Sequence, residues 1–225
     1  MKRIGMLVAV ELDAVLSHYG SAVKQELCSG FPVLHYQMEA YSLYVINSGL
    51  GELAAAAATQ LLIDRYQVEL VVNFGVVGGL TEEMAQNRTC VVEKLVHYDF
   101  DISRIDPVEP GQYPGYPDRF VPTSPNLVER ALALHPELKR VVCASADKFV
   151  DGREAKTALH SRYGADICEM EAAGVVLTCH RGGVPCLLIK TVADGMDGGS
   201  EEYYAQVRSS AAICLEITDR IIRDL

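Results

Sequence analysis

The sequence predicts an α/β fold whose central sheet is largely parallel. Short apolar runs of strand length alternate along the chain with segments that have the composition of helices. Between residues 42 and 80 the order is strand, glycine-containing turn, helix and strand, which is the βαβ unit of parallel sheets. The 225 residues are 49% hydrophobic and 22% charged, which favours one compact domain over residues 1–225 and argues against disorder.

The first part of the chain alternates predicted strands and helices. IGMLVAV, residues 4–10, predicts a strand, and a helix with Asp13 as its N-cap is expected to follow. SLYVINSGLG, residues 42–51, predicts a strand that runs into a glycine-containing turn. The alanine-rich segment 52–66 then predicts a helix, and the apolar segment 69–80 predicts a buried strand.

The middle of the chain contains a long loop. Residues 89–103 predict a strand, and the proline-rich segment DPVEPGQYPGYPDR, residues 106–119, predicts no regular structure. Loops of this length are usually functional or lie at an interface. Residues 127–135 predict a helix, 139–150 a strand that enters a loop, and 154–164 a helix that a glycine stops.

The last third of the chain predicts two further strands and two helices. Residues 167–183, ICEMEAAGVVLTCHRGG, indicate the end of a strand followed by a helix that a pair of glycines closes. Residues 184–200 predict a strand and a loop rich in glycine and aspartate, and residues 201–224 a C-terminal helix. The order of elements therefore remains that of an α/β protein throughout.

The charge and hydropathy of the chain narrow the class of ligand. The net charge is −10 and no basic tract occurs, which argues against nucleic acid and anionic membrane as partners. The sequence contains no run of 18 apolar residues, the length needed to span a membrane. Glu11 and Asp13 interrupt the N-terminal apolar run before it reaches signal-peptide length. We therefore expect a small-molecule ligand.

The seven cysteines are scattered and include no CxxC pair. This pattern predicts neither a zinc ribbon nor a redox pair, and it is typical of free core thiols in a reducing cytoplasm. We expect no metal ion and no cofactor.

Acidic residues concentrate where the predicted strands end. They are Glu11, Asp13, Asp147, Glu169, Glu171 and Asp194. Ligands of parallel α/β sheets bind beyond the carboxyl ends of the strands. For Asp13 alone, a role as the N-cap of a helix is equally expected. Together, and beside many glycines, these acids favour a site for a hydroxyl-rich or cationic ligand.

Eight segments together resemble the nucleoside phosphorylase/nucleosidase superfamily, and within it the 5′-methylthioadenosine/S-adenosylhomocysteine nucleosidases. They are IGMLVAVEL at the start, NSGLGELAAA (47–56), VVNFGVVGGL (71–80), YDFDIS (98–103), GQYPGYP (111–117), SADKFVDG (145–152), EMEAAGVV (169–176) and VADGMDG (192–198). The specific feature is the EMEA element with an aspartate 23 residues later. The resemblance implies a three-layer fold, with a mixed, twisted central sheet flanked by helices, and cleavage of the N-ribosidic bond of a purine nucleoside.

The resemblance also implies roles for individual residues. It places the ribose-binding carboxylate on Glu171, the general acid for purine N7 on Asp194 and the water-activating acid on Asp13. Phe149 corresponds to the residue that stacks on the base, and Met170 to the one that packs against the sugar. Further substrate contacts are expected from Val10, Leu50, Val76, Gly78, Val150, Glu169 and Lys190.

A homodimer is a further implication of the resemblance. Ile102, Ile105 and Pro114 match positions that close the pocket of the neighbouring subunit. The proline-rich loop is therefore expected at the subunit interface.

Each of these residues also has a plain structural interpretation. Phe149 and Met170 alone are more often core residues, Glu169 could only hold backbone amides, and Asp194 could be a turn residue. Their joint order and spacing favour the site.

Three positions depart from the nucleosidase pattern. Asp13 stands where the family has glutamate, Val76 where it has serine, and Lys190 where it has arginine, which loses the planar guanidinium fork. All three lie where the nucleophile is expected, so a hydrolase, a phosphorylase and a nucleoside-binding protein without turnover remain alternatives.

Two acids and no arginine near the first strand disfavour phosphate, so water is the favoured nucleophile. Methylthio, homocysteinyl, deoxy and futalosine-type 5′ groups all remain open.

Overall fold

The computed structural model describes residues 1–225 as ten strands and six helices. The strands are β1 (Lys2–Val8), β2 (Lys24–Cys28), β3 (Phe31–Gln37), β4 (Tyr41–Asn47), β5 (Leu70–Gly79), β6 (Thr89–His97), β7 (Val121–Pro122), β8 (Lys139–Ser145), β9 (Ile167–Glu169) and β10 (Cys186–Asp194). The helices are α1 (Leu12–Tyr19), α2 (Glu52–Tyr66), α3 (Pro125–Leu134), α4 (Arg153–Tyr163), α5 (Ala172–Gly182) and α6 (Ser200–Arg223). No helix is long and apolar enough to cross a membrane.

The strands form one mixed sheet. β4, β1, β5 and β10 pair in parallel, as do β6, β8 and β9. The pairs β2–β3, β3–β4, β5–β9, β6–β7 and β6–β10 are antiparallel. Because β5 pairs with both β9 and β10, the strands β5, β10, β6, β8 and β9 close into a ring, and β1, β4, β3 and β2 extend from it. The mixed sheet that the resemblance implied is confirmed, whereas the largely parallel sheet predicted from the order of elements is wrong, because half of the strand pairs are antiparallel.

Helices cover both faces of the sheet. Neighbouring strand residues point to opposite faces, so Leu7 and Val71 pack in the cluster of α2 and α5. Met6 and Val72 pack in a second cluster, with α1, α3 and α6. The three-layer arrangement predicted from the sequence is therefore confirmed.

The close contact between α2 and α5 helps to position the site. A Cβ atom at Gly174 would lie 2.3 Å from the backbone oxygen of Glu52, so only glycine allows the two helices to approach this closely. Ala55 and Ala58 of α2 are buried at the same contact. Their small side chains let the N-terminus of α2 reach the N-terminus of α5.

Several details of the sequence prediction are wrong, and one of them is the strand predicted over residues 89–103, which ends at His97. The β2–β3 hairpin is absent from the prediction, because these strands lie at the edge of the sheet and alternate exposed polar and buried apolar residues over short lengths. The first strand ends at Val8 instead of residue 10. Helix α1 has Glu11 as its N-cap residue, and Asp13 lies exposed in its first turn.

The long loop predicted at residues 106–119 contains no helix or strand, as expected. Stacked aromatic rings hold it in place. The rings of Phe100 and Tyr113 are parallel with centroids 3.9 Å apart, and the hydroxyl of Tyr113 lies 2.7 Å from Nδ1 of His97.

Candidate active site

A cleft of about 300 Å³ lies where the carboxyl ends of β1, β5, β8, β9 and β10 meet. β5 and β9 are antiparallel, but β9 has only three residues and pairs through Ile167 and Cys168 with the last two residues of β5, so its end also reaches the cleft. Residues predicted from the sequence that line the cleft are Val10, Leu50, Val76, Gly78, Phe149, Glu169, Met170, Glu171 and Asp194.

The other predicted residues lie beside the cleft or outside it. Val150 lines a small adjoining pocket together with Phe149 and Asp194. Lys190 is buried, with its Nζ 3.2 Å from Oε2 of Glu169. Asp13 lines a neighbouring groove between α1 and α6, so the structure does not bring it together with the other predicted residues.

Glu11 lines the cleft, whereas Asp13, the water-activating acid that the resemblance implied, does not. Its Oε2 accepts hydrogen bonds from the backbone amides of Ala9 and Val10, at 3.1 and 3.0 Å, and its Oε1 accepts one from the amide of Val76 at 3.0 Å. These donors stabilise negative charge on the carboxylate. A Cβ atom at Gly75 would lie 2.8 Å from Oε1, so glycine is needed beside it.

Glu171 is the N-cap residue of α5 and is 7% exposed. Its Oε1 accepts a hydrogen bond from the amide of Gly51 at 2.9 Å, and no protein donor contacts its Oε2. Burial and then the charge of Glu169 raise the pKa of Glu171 to about 7, against the opposing effect of Lys190. The free oxygen is thus available to a ligand.

The carboxylate of Glu169 is saturated by protein donors. It accepts hydrogen bonds from the amides of Glu171 and Ala172, from Ser145 Oγ at 2.5 Å and from Lys190 Nζ. This satisfies its acceptor capacity without a ligand, so its geometry is that of a structural carboxylate.

A second buried glutamate, Glu52, shares the hydroxyl of Ser145 with Glu169. Ser145 has one proton and also accepts a hydrogen bond from the amide of Ala173 at 3.1 Å. One of the two carboxyl groups must therefore be protonated and donate to Ser145. Burial and then the charge of Glu169 raise the pKa of Glu52 to about 8, so Glu52 holds that proton.

These side chains also satisfy the N-terminus of α5. The amides of Ala172, Ala173 and Gly174, which have no partner within the helix, donate to Glu169, Ser145 and Glu52 in turn. Glu52 and Ser145 were not predicted from the sequence. Their only signal was a polar residue at the end of an apolar strand and an acid directly after a glycine turn.

Asp194 is 1% exposed and pairs with a lysine that the sequence analysis missed. Nζ of Lys156, which is fully buried, lies 2.6 Å from Oδ2 of Asp194. Burial raises the pKa of Asp194, and the ammonium group of Lys156 opposes that rise. The segment REAKTALHSRY has the composition of a solvent-exposed helix, so nothing in it indicated a buried lysine.

Aromatic and apolar side chains line the mouth of the cleft. Phe149 is 42% exposed, and the ring of Tyr203 meets it edge to face with centroids 5.7 Å apart. Met170 and Leu50 line the same cleft. An exposed aromatic face in this setting is available to stack on a flat ligand.

Of the residues predicted for the neighbouring pocket, Pro114 lies in the proline-rich loop, and Ile102 and Ile105 lie just before it. Ile105 is 87% exposed, and Pro114 is exposed as well. Neither these residues nor Ile102 line the cleft of their own chain.

The phosphorylase superfamily model matches residues 4–224. The chain is 27% identical to the 5′-methylthioadenosine/S-adenosylhomocysteine nucleosidase of Shewanella halifaxensis, over 94% of this chain and 96% of that protein. It is 30% identical to the aminodeoxyfutalosine nucleosidase of Helicobacter pylori, over 88% of this chain and 87% of that protein. A crystal structure of the H. pylori 5′-methylthioadenosine/S-adenosylhomocysteine nucleosidase with a bound pyrrolopyrimidine–pyrrolidinol compound superimposes with a TM-score of 0.94 and 27% identity, over 100% of this chain and 99% of the other.

Proposed function

Because the chain belongs to the phosphorylase superfamily, we propose that its cleft hydrolyses the N-ribosidic bond of an adenine nucleoside and releases the base. 5′-Methylthioadenosine and S-adenosylhomocysteine are the expected substrates, as they are named for its relatives. One observation carries the proposal. A carboxylate with a free oxygen, a buried acid and an exposed aromatic ring line the same cleft, as Glu171, Asp194 and Phe149.

Each of these residues has a chemical task in the proposed reaction. Oε2 of Glu171 accepts hydrogen bonds from the ribose hydroxyls, and Phe149 stacks on the base. Asp194 gives a proton to N7, which makes the base a better leaving group. Positive charge then develops on the sugar, as in glycoside hydrolysis, and nearby carboxylates stabilise it.

We assign the activation of water to Glu11. Three backbone amides hold its carboxylate at the wall of the cleft, whereas Asp13 lies exposed in the adjacent groove. A carboxylate in this place accepts the proton of the attacking water. Since Val76 contacts Glu11 through its backbone amide, the valine side chain in place of serine leaves this contact intact.

Water is favoured over phosphate as the nucleophile. Glu11 and Glu171 place two acids at the wall of the cleft, and the charge of Lys190 is already paired with Glu169. A phosphate dianion would be repelled there, since phosphate sites usually supply arginine or several free amides.

The cleft continues into the groove between α1 and α6. Val10, Glu11, Tyr203 and Tyr204 line both spaces. A large 5′ substituent could extend into this groove, which supports futalosine-type nucleosides as alternative substrates.

The proposal includes a homodimer in a reducing cytoplasm. The exposed apolar side chains of Ile105, Leu50 and Leu53 support a subunit contact at the loop and the cleft mouth. Seven free cysteines, six of them buried, support a reducing compartment. Sedimentation analysis of the purified protein tests the dimer.

Adenine release measured with and without phosphate tests the reaction. We expect 5′-methylthioadenosine or S-adenosylhomocysteine to give adenine and the free sugar at the same rate in both buffers. A requirement for phosphate, with a sugar 1-phosphate as product, would identify a phosphorylase. If 5′-methylthioadenosine, S-adenosylhomocysteine and aminodeoxyfutalosine bind but none of them is cleaved, the proposed hydrolase activity is rejected.

A further inference from the structure

Lys156 is a fully buried lysine on a helix whose other charged residues are exposed. Its ammonium group donates to Oδ2 of Asp194 at 2.6 Å, to the backbone oxygen of Gly195 at 2.6 Å and to that of Gly198 at 3.1 Å. The three N–H donors of the lysine thus have three acceptors. Burying an ammonium group is costly, so this geometry holds the charge at one defined place.

The pairing leaves one oxygen of Asp194 for the cleft. No protein donor contacts Oδ1, whereas Oδ2 is bound by Lys156. The register of β10 against β5 shifts between Val192 and Asp194, an irregularity of the kind that re-aims side chains at strand ends. Asp194 therefore lines the cleft with one oxygen fixed and the other free.

We propose that Lys156 is the positioning residue for Asp194: it binds Oδ2, presents Oδ1 to the base and stabilises the carboxylate that remains once the proton has left. This inference rests on the proposed nucleosidase reaction. The O–H bond at Oδ1 breaks and an N–H bond forms at N7, while its electron pair stays on the carboxylate. The N-ribosidic bond pair moves to the base, water attacks the sugar carbon, and Glu11 takes the proton of the water.

The groups around Asp194 define the expected pH dependence. Besides Lys156, the ionisable groups that face it are Asp151, Cys168, Glu202 and Tyr203. Burial, Glu202 and Asp151 raise the pKa of Asp194, and only Lys156 lowers it. Without the ammonium group, Asp194 would keep its proton to higher pH and give it up less readily.

The test is the pH profile of kcat/KM in Lys156→Met, a variant of similar side-chain volume. We expect the alkaline limb to move upward by about one to three pH units, because the nearby opposite charge is lost. The maximal rate should fall about tenfold, a part of what general acid catalysis contributes. Lys139→Met removes a half-buried lysine that pairs with Glu83 far from the cleft residues, and it is the control, with an unchanged profile expected.

A second variant separates charge from hydrogen bonding. Lys156→Gln keeps N–H donors near Oδ2 and serves if Lys156→Met does not fold. It should show the same shift of the alkaline limb with a smaller loss of rate. In an Asp194→Asn background, neither substitution should move the profile further, since the group that Lys156 acts on is gone.

The outcomes distinguish the inference from the proposed function. If the wild-type protein releases no adenine, the proposed function fails. If the wild type is active but both Lys156 variants keep its alkaline limb, the inference fails. A uniform loss of rate with lower thermal stability and an unmoved limb would show that Lys156 is only structural, which also overturns it.

Discussion

Two buried lysines pair with buried carboxyl groups at one cleft, and the two pairs differ in what surrounds the carboxylate. Lys190 contacts Glu169, which is also bound by amides and by Ser145. Lys156 contacts Asp194, whose second oxygen has no protein donor. A carboxylate whose acceptor sites are all filled by protein donors holds structure, whereas one with an unfilled acceptor site can exchange a proton with a ligand.

The charges around the two lysines differ as well. Burial opposes the charged form of Lys190, but Glu169, Glu171 and Glu11 outweigh it and raise its pKa. Lys156 is surrounded instead by one carboxyl group and two backbone oxygens. The Lys190 end of the cleft, with Glu11, Glu169 and Glu171, therefore has excess negative charge for a cationic sugar. At the Lys156 end the ammonium group is bound to Asp194, the one acid proposed to transfer a proton to the base.

The largest effect is expected from Asp194→Asn, which removes the carboxyl proton beside Lys156 that is proposed to be transferred to N7. Cleavage should fall by about 10²–10⁴, the usual contribution of a general acid. Lys156 would also lose its anionic partner, and an uncompensated buried charge typically costs about 3–5 kcal/mol. Steady-state adenine release and thermal unfolding measure the two effects.

The matched control for that variant is Asp197→Asn, an exposed acid in the same loop that pairs with Arg153. It should keep the wild-type rate. An Asp194→Asn enzyme within about tenfold of wild type would show that protonation of N7 is not the task of this residue.

The second-largest effect on activity is expected at the acid that activates water near Lys190, which is proposed to be Glu11 and not Asp13. Glu11→Gln should reduce kcat by about 10², because the amide cannot take a proton from water. Asp13→Asn should leave kcat unchanged, since Asp13 lies exposed outside the cleft. The reverse result for the two variants would return the role of base to Asp13.

The Glu11–Asp13 pair shows where sequence reasoning reached its limit. Residues two apart after a strand both follow its carboxyl end, and only the start of α1 decides which one turns inward. Most strands, the six helices and the EMEA-to-aspartate spacing were predictable, because apolar periodicity and the order of motifs can be recognised in the sequence alone. Lys156 and Glu52 were not, because their burial depends on partners 38 and 93 residues away.

A smaller effect is expected from Glu171→Gln. The variant should raise KM about tenfold, since a hydrogen bond to a charged acceptor contributes about 1.5–3 kcal/mol. Because the pKa of Glu171 in the wild type is about 7, its carboxylate gains a proton below that pH, and KM should rise there. The variant should lack this rise. Because the ribose hydroxyls are the proposed donors, a 2′,3′-dideoxy substrate should lose little more on the variant. If the effect of the variant and the effect of the dideoxy substrate multiply in full, Glu171 does not bind these hydroxyls.

The smallest effect on activity, and a measurable one on stability, is expected from Glu52→Gln. The glutamine amide can donate to Ser145 and its oxygen can accept from Gly174, which is the pattern that protonated Glu52 makes. In the wild type the pKa of Glu52 rises from 4.5 to about 8, so the native state keeps a proton that the unfolded state releases between these values. The free energy of unfolding must then fall as the pH rises through this window.

Glu52→Gln removes that fall, so the variant should gain stability relative to the wild type with rising pH, by at most about 1.4 kcal/mol per pH unit. Urea unfolding at a series of pH values measures the difference, and Glu154→Gln, an exposed acid of α4, is the control with a constant offset. Parallel curves for Glu52→Gln and wild type would mean that Glu52 is ionised in the native protein. The proton shared through Ser145 would then belong to Glu169, and the Lys190 end would lose the saturated, charged carboxylate that distinguishes it from the Lys156 end.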